Sequence, residues 1–231
     1  MRLDRSRVLA GLLLAALAGC NGSPAASPTQ GAAVNPVTRA PATPGATATP
    51  RATSTPLWPA PANAMELTTA AGLVPETVEH LEFHVHAHLD VFLDGQPVLV
   101  PAGIGINIVD PNVQVFTESD GSFSYGGIQT PCSSPCISPL HTHWEVGTLH
   151  TESATPEPNT LGQFFVEWGV ELSETCVGEH CAPAEAVAFY VNTEPYSGDP
   201  NEIELADRTL ITIVIGTPPP TLPTDADYSL P

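Results

Sequence analysis

The chain contains no lysine, and beyond Cys20 its basic residues are Arg39, Arg51 and Arg208 alone. It has 25 acidic residues, and Asp4 is the one that precedes Cys20. A folded part with a single arginine cannot neutralise a row of phosphates, which excludes nucleic acid as a partner. An anionic membrane surface is disfavoured for the same reason. A negative field attracts cations, metal ions among them, although solubility of an exported protein explains the same balance. Long apolar runs are scarce too. Val8 to Gly19 is one, of about 12 residues, where a helix crossing roughly 30 Å of hydrocarbon needs about 20. No later segment is apolar enough to span a membrane, so the expectation is a chain that is anchored and not integral.

What is present at the amino terminus reads as an export signal. Arg2, Arg5 and Arg7 form a basic start, and the short apolar run follows directly. It ends Leu17-Ala18-Gly19-Cys20, which resembles the lipobox of bacterial lipoproteins. The resemblance implies cleavage before Cys20, lipidation of its thiol and attachment to the outer face of a membrane, either the cell membrane or an outer membrane. From this we expect a signal peptide at 1–19 and a lipidated, Pro/Ala/Thr-rich linker at 20–62. That linker has almost no large apolar side chains to offset its ordering entropy and should be extended and mobile. A histidine-rich β domain is expected at 63–216 and a disordered tail at 217–231. With Cys20 set aside, Cys132, Cys136, Cys176 and Cys181 remain. In an oxidising compartment an even set suggests disulfides, most simply the local pairs, with a four-thiolate zinc site as the alternative.

The folded part has mostly period-two patterning. From His80 to Leu93, residues Leu81, Phe83, Val85, Ala87, Leu89, Val91 and Leu93 fall on one face. His80, Glu82, His84, His86, His88, Asp90 and Phe92 fall on the other. Asp94-Gly95 predicts a tight hairpin. Further strands are expected at Pro97–Val100, Gly103–Val109, Val113–Phe116, Leu140–Trp144, Thr148–Ser153, Ala186–Val191 and Thr209–Ile215. One short helix is expected after Thr160, with Gln163 completing a capping box and Gly169 ending it. The fold class is mainly β: an antiparallel sandwich or barrel with one short helix.

Seven of the 8 histidines fall in two clusters: His80, His84, His86 and His88, then His141, His143 and His150, with Glu152 two residues on. On a strand, residues i and i+2 point the same way, roughly 6.5–7 Å apart, so His-x-His can converge on one ion. His84 and His88, roughly 13 Å apart, cannot do so together. The first strand therefore offers His84/His86 or His86/His88. The candidate ligands are His84, His86, His88, His141, His143 and His150, with Glu152, Asp90 and Glu82 as further ligands or orienting carboxylates. A nitrogen-rich set without thiolate suits copper or zinc. His180 reads as a loop residue.

Phe83–Leu89, Pro101–Ile106, Leu140–His143, Gly147–Ser153 and Thr160–Phe165 with Trp168-Gly169 together resemble a family of exported histidine-rich proteins of bacteria and archaea. The resemblance implies a shared β fold and a shared histidine site, without an activity. It departs at Trp144, where the pattern leads us to expect aspartate. The leading expectation is a lipoprotein that binds copper or zinc. A metal-dependent enzyme, hydrolytic or using oxygen chemistry, is its first rival. A surface module whose histidines respond to pH is its second.

Overall fold

The computed structural model describes residues 56–228, so the signal, Cys20 and most of the linker lie outside the described residues. In chain order the elements are α1 (Ala64–Ala70), β1 (Phe83–Leu93), β2 (Gln96–Val98), β3 (Gln114–Thr117), β4 (Phe123–Gly126), β5 (Leu140–His141) and β6 (Thr148–Ser153). They continue with α2 (Leu161–Trp168), β7 (Cys176–Val177), β8 (His180–Cys181), β9 (Val187–Val191), β10 (Glu194–Tyr196) and β11 (Leu210–Ile215). A 7-stranded sheet runs β10-β9-β11-β1-β6-β5, with β2 also paired to β1. The fold is mainly β, as expected. The sheet does not close into a barrel among the described residues.

Strand β1 organises the sheet because its alternation gives it two usable faces. Ala87, Leu89 and Val91 point to one side and are 1% exposed. Register places Ile211 and Ile213 of β11 beside Leu89 and Val91 on that side. Helix α2 covers them with Leu161, Phe164, Phe165 and Trp168. Each such side chain contributes about 1.5–3 kcal/mol when fully buried. This face therefore supplies the cohesion, and the opposite face is free to be polar. Helix α2 forms as the sequence predicts. Thr160 accepts from the Gln163 backbone, Gln163 reaches back to the Thr160 backbone, and Gly169 closes the helix at φ 70°.

Several expectations need correction. Strand β1 begins at Phe83, not His80, and Leu81 is 61% exposed. Gly103–Val109 is not a strand: Gly103 and Gly105 adopt φ 84° and 72°, which interrupts extended backbone. What remains there is a bridge from Ile106 to Ile137. The strand expected at Leu140–Trp144 stops at His141. Strands β1 and β11 pair in parallel, so the sheet is mixed and not wholly antiparallel. Helix α1 was not foreseen. Packing also starts earlier than residue 63. Trp58 stacks edge-on against Trp168 at 5.7 Å, and its carbonyl accepts from the Trp168 indole at 2.9 Å. Residues 218–228 have no regular secondary structure, yet Tyr228 is held against His86 and Arg208.

Candidate metal centre

Three adjacent strands assemble the site by register. His86 of β1 lies opposite His150 of β6, and His150 lies opposite His141 of β5. In the next row His84 faces Glu152. Residues directly opposite in a sheet share a face, so all five side chains project together. His143 joins them from the loop after β5. Its Nδ1 donates to the Tyr125 carbonyl of β4. That approach needs Gly126, whose φ is 142° and whose missing Cβ leaves the space taken by the His143 ring. One donor atom from each of His141, His143, His150 and Glu152 lies within 4.8 Å of the others. His84, His86 and His150 form a second such group, so His150 belongs to both. This buried group can hold a metal ion.

The hydrogen bonds fix which nitrogen is available. His141 Nδ1 donates to the Ser138 carbonyl at 2.8 Å, and His86 Nδ1 donates to the Tyr228 carbonyl at 2.9 Å. A carbonyl only accepts, so in neutral His86, His141 and His143 the proton sits on Nδ1 and Nε2 presents a lone pair. The Nε2 atoms of His141 and His143 are 3.1 Å apart, and neither has a proton to give the other. Two nitrogens bound at 2.0–2.1 Å to one tetrahedral ion would be about 3.3 Å apart. The pair is thus already spaced as an ion would hold it. His150 Nε2 and Glu152 Oε2 are buried and lack any hydrogen-bond partner. Each such orphan costs about 1–3 kcal/mol unless something satisfies it.

Electrostatics point the same way. Burial lowers the His141 pKa to about 3 against the pull of Glu152, with His143 and His150 lowering it further. Burial likewise lowers His150 to about 4, opposed by its hydrogen bond to Glu152. Both are therefore neutral at pH 7 and able to ligate. Burial alone would raise Glu152, but the histidine cluster around it, with His150 Nδ1 donating to its Oε1 at 3.2 Å, outweighs burial and lowers the carboxyl pKa. The centre offers neutral imidazoles around one carboxylate, a donor set that suits zinc, copper, iron or nickel.

Not every residue singled out in the sequence is in the site. His88 lies one row beyond His86, opposite Thr148, with its Nε2 3.4 Å from Asp90, and it joins neither group. Asp90 therefore orients His88 and no member of the cluster. Glu82 is 65% exposed and pairs with His80 at 3.6 Å. His180 bonds to Glu185. The four cysteines form the local disulfides Cys132–Cys136 and Cys176–Cys181, which removes them as thiolates. The first lies in a small core with Ile106, Val113 and Ile137, just ahead of Ser138, whose carbonyl holds His141. Sequence reasoning missed the carbonyls of Tyr125, Ser138 and Tyr228, because a backbone acceptor leaves no signature in a side-chain pattern. Gly126 ends β4, and its lack of a side chain is what lets the His143 ring approach.

A cavity of about 600 Å³ opens beside the centre, lined by His84, His143 and Glu152 together with Phe116, Tyr125 and Trp144. Comparison with protein-family models, with curated proteins and with solved structures finds no match to this chain, so the site is read from its own geometry.

Proposed function

We propose that this chain is an exported lipoprotein, tethered through Cys20, whose β domain binds copper or zinc at His141, His143, His150 and Glu152. The observation that carries the metal reading is the buried His141/His143 pair. Both Nδ1 protons are committed to carbonyls, and two Nε2 lone pairs face each other at 3.1 Å. An ion coordinated by both turns that repulsion into two bonds. The basic start, the apolar run and Leu17-Ala18-Gly19-Cys20 support the tether. Two disulfides fit an oxidising compartment, and no helix among the described residues is long and apolar enough to cross a membrane.

Titration of the metal-free, detergent-solubilised chain with zinc or copper(II) tests the site. His143→Ala should weaken binding far more than His180→Ala, and equal affinities would refute the assignment. Incorporation of labelled fatty acid tests the tether. Labelling that persists in Cys20→Ser would sink it.

The cavity favours a second reading of the same centre. A metal that polarises a bound water, next to a space large enough for a small organic molecule, is the arrangement of a hydrolytic or oxygen-using enzyme. Turnover of model esters or phosphoesters that requires the metal and is lost in His143→Ala would favour it over storage or delivery.

A further inference from the structure

The centre has more donors than one ion uses. Five imidazoles and a carboxylate converge, whereas a tetrahedral site takes four ligands. They are also not spread evenly. One close Nε2 pair belongs to His141 and His143, at 3.1 Å, and a separate one belongs to His84 and His86, at 2.7 Å. Glu152 lies between the pairs and approaches both, its Oε1 also lying 3.9 Å from His143 Nε2. Its Oε1 is 3.2 Å from His84 Nε2, and its Oε2 is 3.8 Å from His141 Nε2. His150 is shared: it lies opposite His86 across one strand interface and His141 across the other. Its unpartnered Nε2, on a ring that is 0% exposed, is an independent sign of a missing ligand.

From this juxtaposition, and resting on the metal reading above, we infer a binuclear centre: one ion at His141/His143, a second at His84/His86, with Glu152 and His150 between them. Paired ions in such sites lie about 3.5–4 Å apart, the span that a carboxylate can bridge. The two positions differ in access. The inner ion is enclosed by groups that are 0–7% exposed. The outer ion is held by His84, whose side chain is 30% exposed and lines the cavity. The outer ion is therefore the exchangeable one, and the one that water or a small molecule in the cavity meets.

The test is the stoichiometry of zinc bound to the metal-free full chain in detergent, by equilibrium dialysis, paired with electron paramagnetic resonance of the copper(II)-loaded chain. Two zinc ions per chain are expected in the wild type and in His88→Ala, which changes the same strand outside both groups. One ion is expected in His84→Ala and in His86→Ala. Copper(II) should give a spin-coupled, weakened signal in the wild type and an isolated-ion spectrum in His84→Ala. One zinc ion per chain that persists in His84→Ala would overturn the second position and leave the inner site standing. One ion lost altogether in His84→Ala would also overturn it, because the strands would then share a single ion. No uptake at all would defeat both readings.

Discussion

Glu152 and Glu167 are both buried, 4% and 0% exposed, yet their carboxyl groups are displaced in opposite directions. Glu152 sits among histidines and is held below the usual carboxylate range despite its burial. Glu167, on α2, is pushed up to about 8 by burial, and the hydroxyls of Ser138 and Thr68 only partly oppose this. Thr68 Oγ1 lies 2.7 Å from Glu167 Oε1, within hydrogen-bonding distance. Burial makes a charge expensive, and the neighbours decide whether the group keeps it. Near neutral pH the first carboxyl is an anion prepared for a cation. The second is a protonated acid that ties α1 and α2 together. Only the first belongs to a group that can hold a metal ion.

The contrast can be broken by substitution. Glu152→Gln removes the anion at the centre and should weaken zinc or copper(II) binding by more than about 100-fold, since even groups behind the ligands are worth 10–100-fold. Glu167→Gln, which keeps the hydrogen bond of a protonated acid, should leave affinity unchanged in the same titration. Similar losses in both would erase the distinction.

The contrast can be sharpened by pH, because the two regions have opposite slopes. Unfolded, His141 and His150 take up protons near 6.5; folded, they resist until about 3 and 4. Their contribution to stability is complete above about 6.5 and is lost as pH falls toward 4. Each proton changes stability by at most about 1.4 kcal/mol per pH unit. Bound metal should leave only toward the acid end, as pH falls to about 4, because protons compete for the folded imidazoles there. Glu167 behaves conversely. Its folded pKa of about 8 lies above the ordinary 4.5, so its contribution is complete below 4.5 and declines as pH rises to 8. Chemical denaturation of metal-free protein at several pH values checks both. Glu167→Gln should abolish the alkaline decline and keep the acid one. A wild type whose stability does not change between pH 4 and 8 would contradict both assignments. The smallest effect expected is from Gly126→Ala, where the new methyl group displaces the His143 ring. The loss of metal affinity should be about 10-fold, the low end of what orienting groups contribute, with the overall fold retained by circular dichroism.

Much of this architecture is legible in local sequence. The alternation through β1, the Asp94-Gly95 turn and the Thr160/Gln163 box each carry their own physical signal, and each forms. The i,i+2 geometry also restricts the first strand to one adjacent histidine pair. It does not select between His84/His86 and His86/His88. That choice depends on β6, which brings His150 opposite His86 but Thr148 opposite His88. Register between distant strands has no local signature, and the parallel β1–β11 pairing was hidden for the same reason. Helix α1 is a seven-residue segment beside a Pro/Ala-rich stretch, with Thr68 turned back on the Ala64 carbonyl, and its pattern is too short to stand out. Glu167 reads as an ordinary helix-surface acid until packing shows that it faces Thr68 and Ser138.

The central claim is that the histidine–glutamate cluster is a metal site in the protein as the cell makes it. The most direct measurement is the metal content of the full chain, purified in detergent without a histidine tag and without added metal. Near-stoichiometric or higher copper or zinc, lost in His143→Ala, is the expected result. A metal-free protein that also takes up no zinc, copper or iron on titration would contradict it.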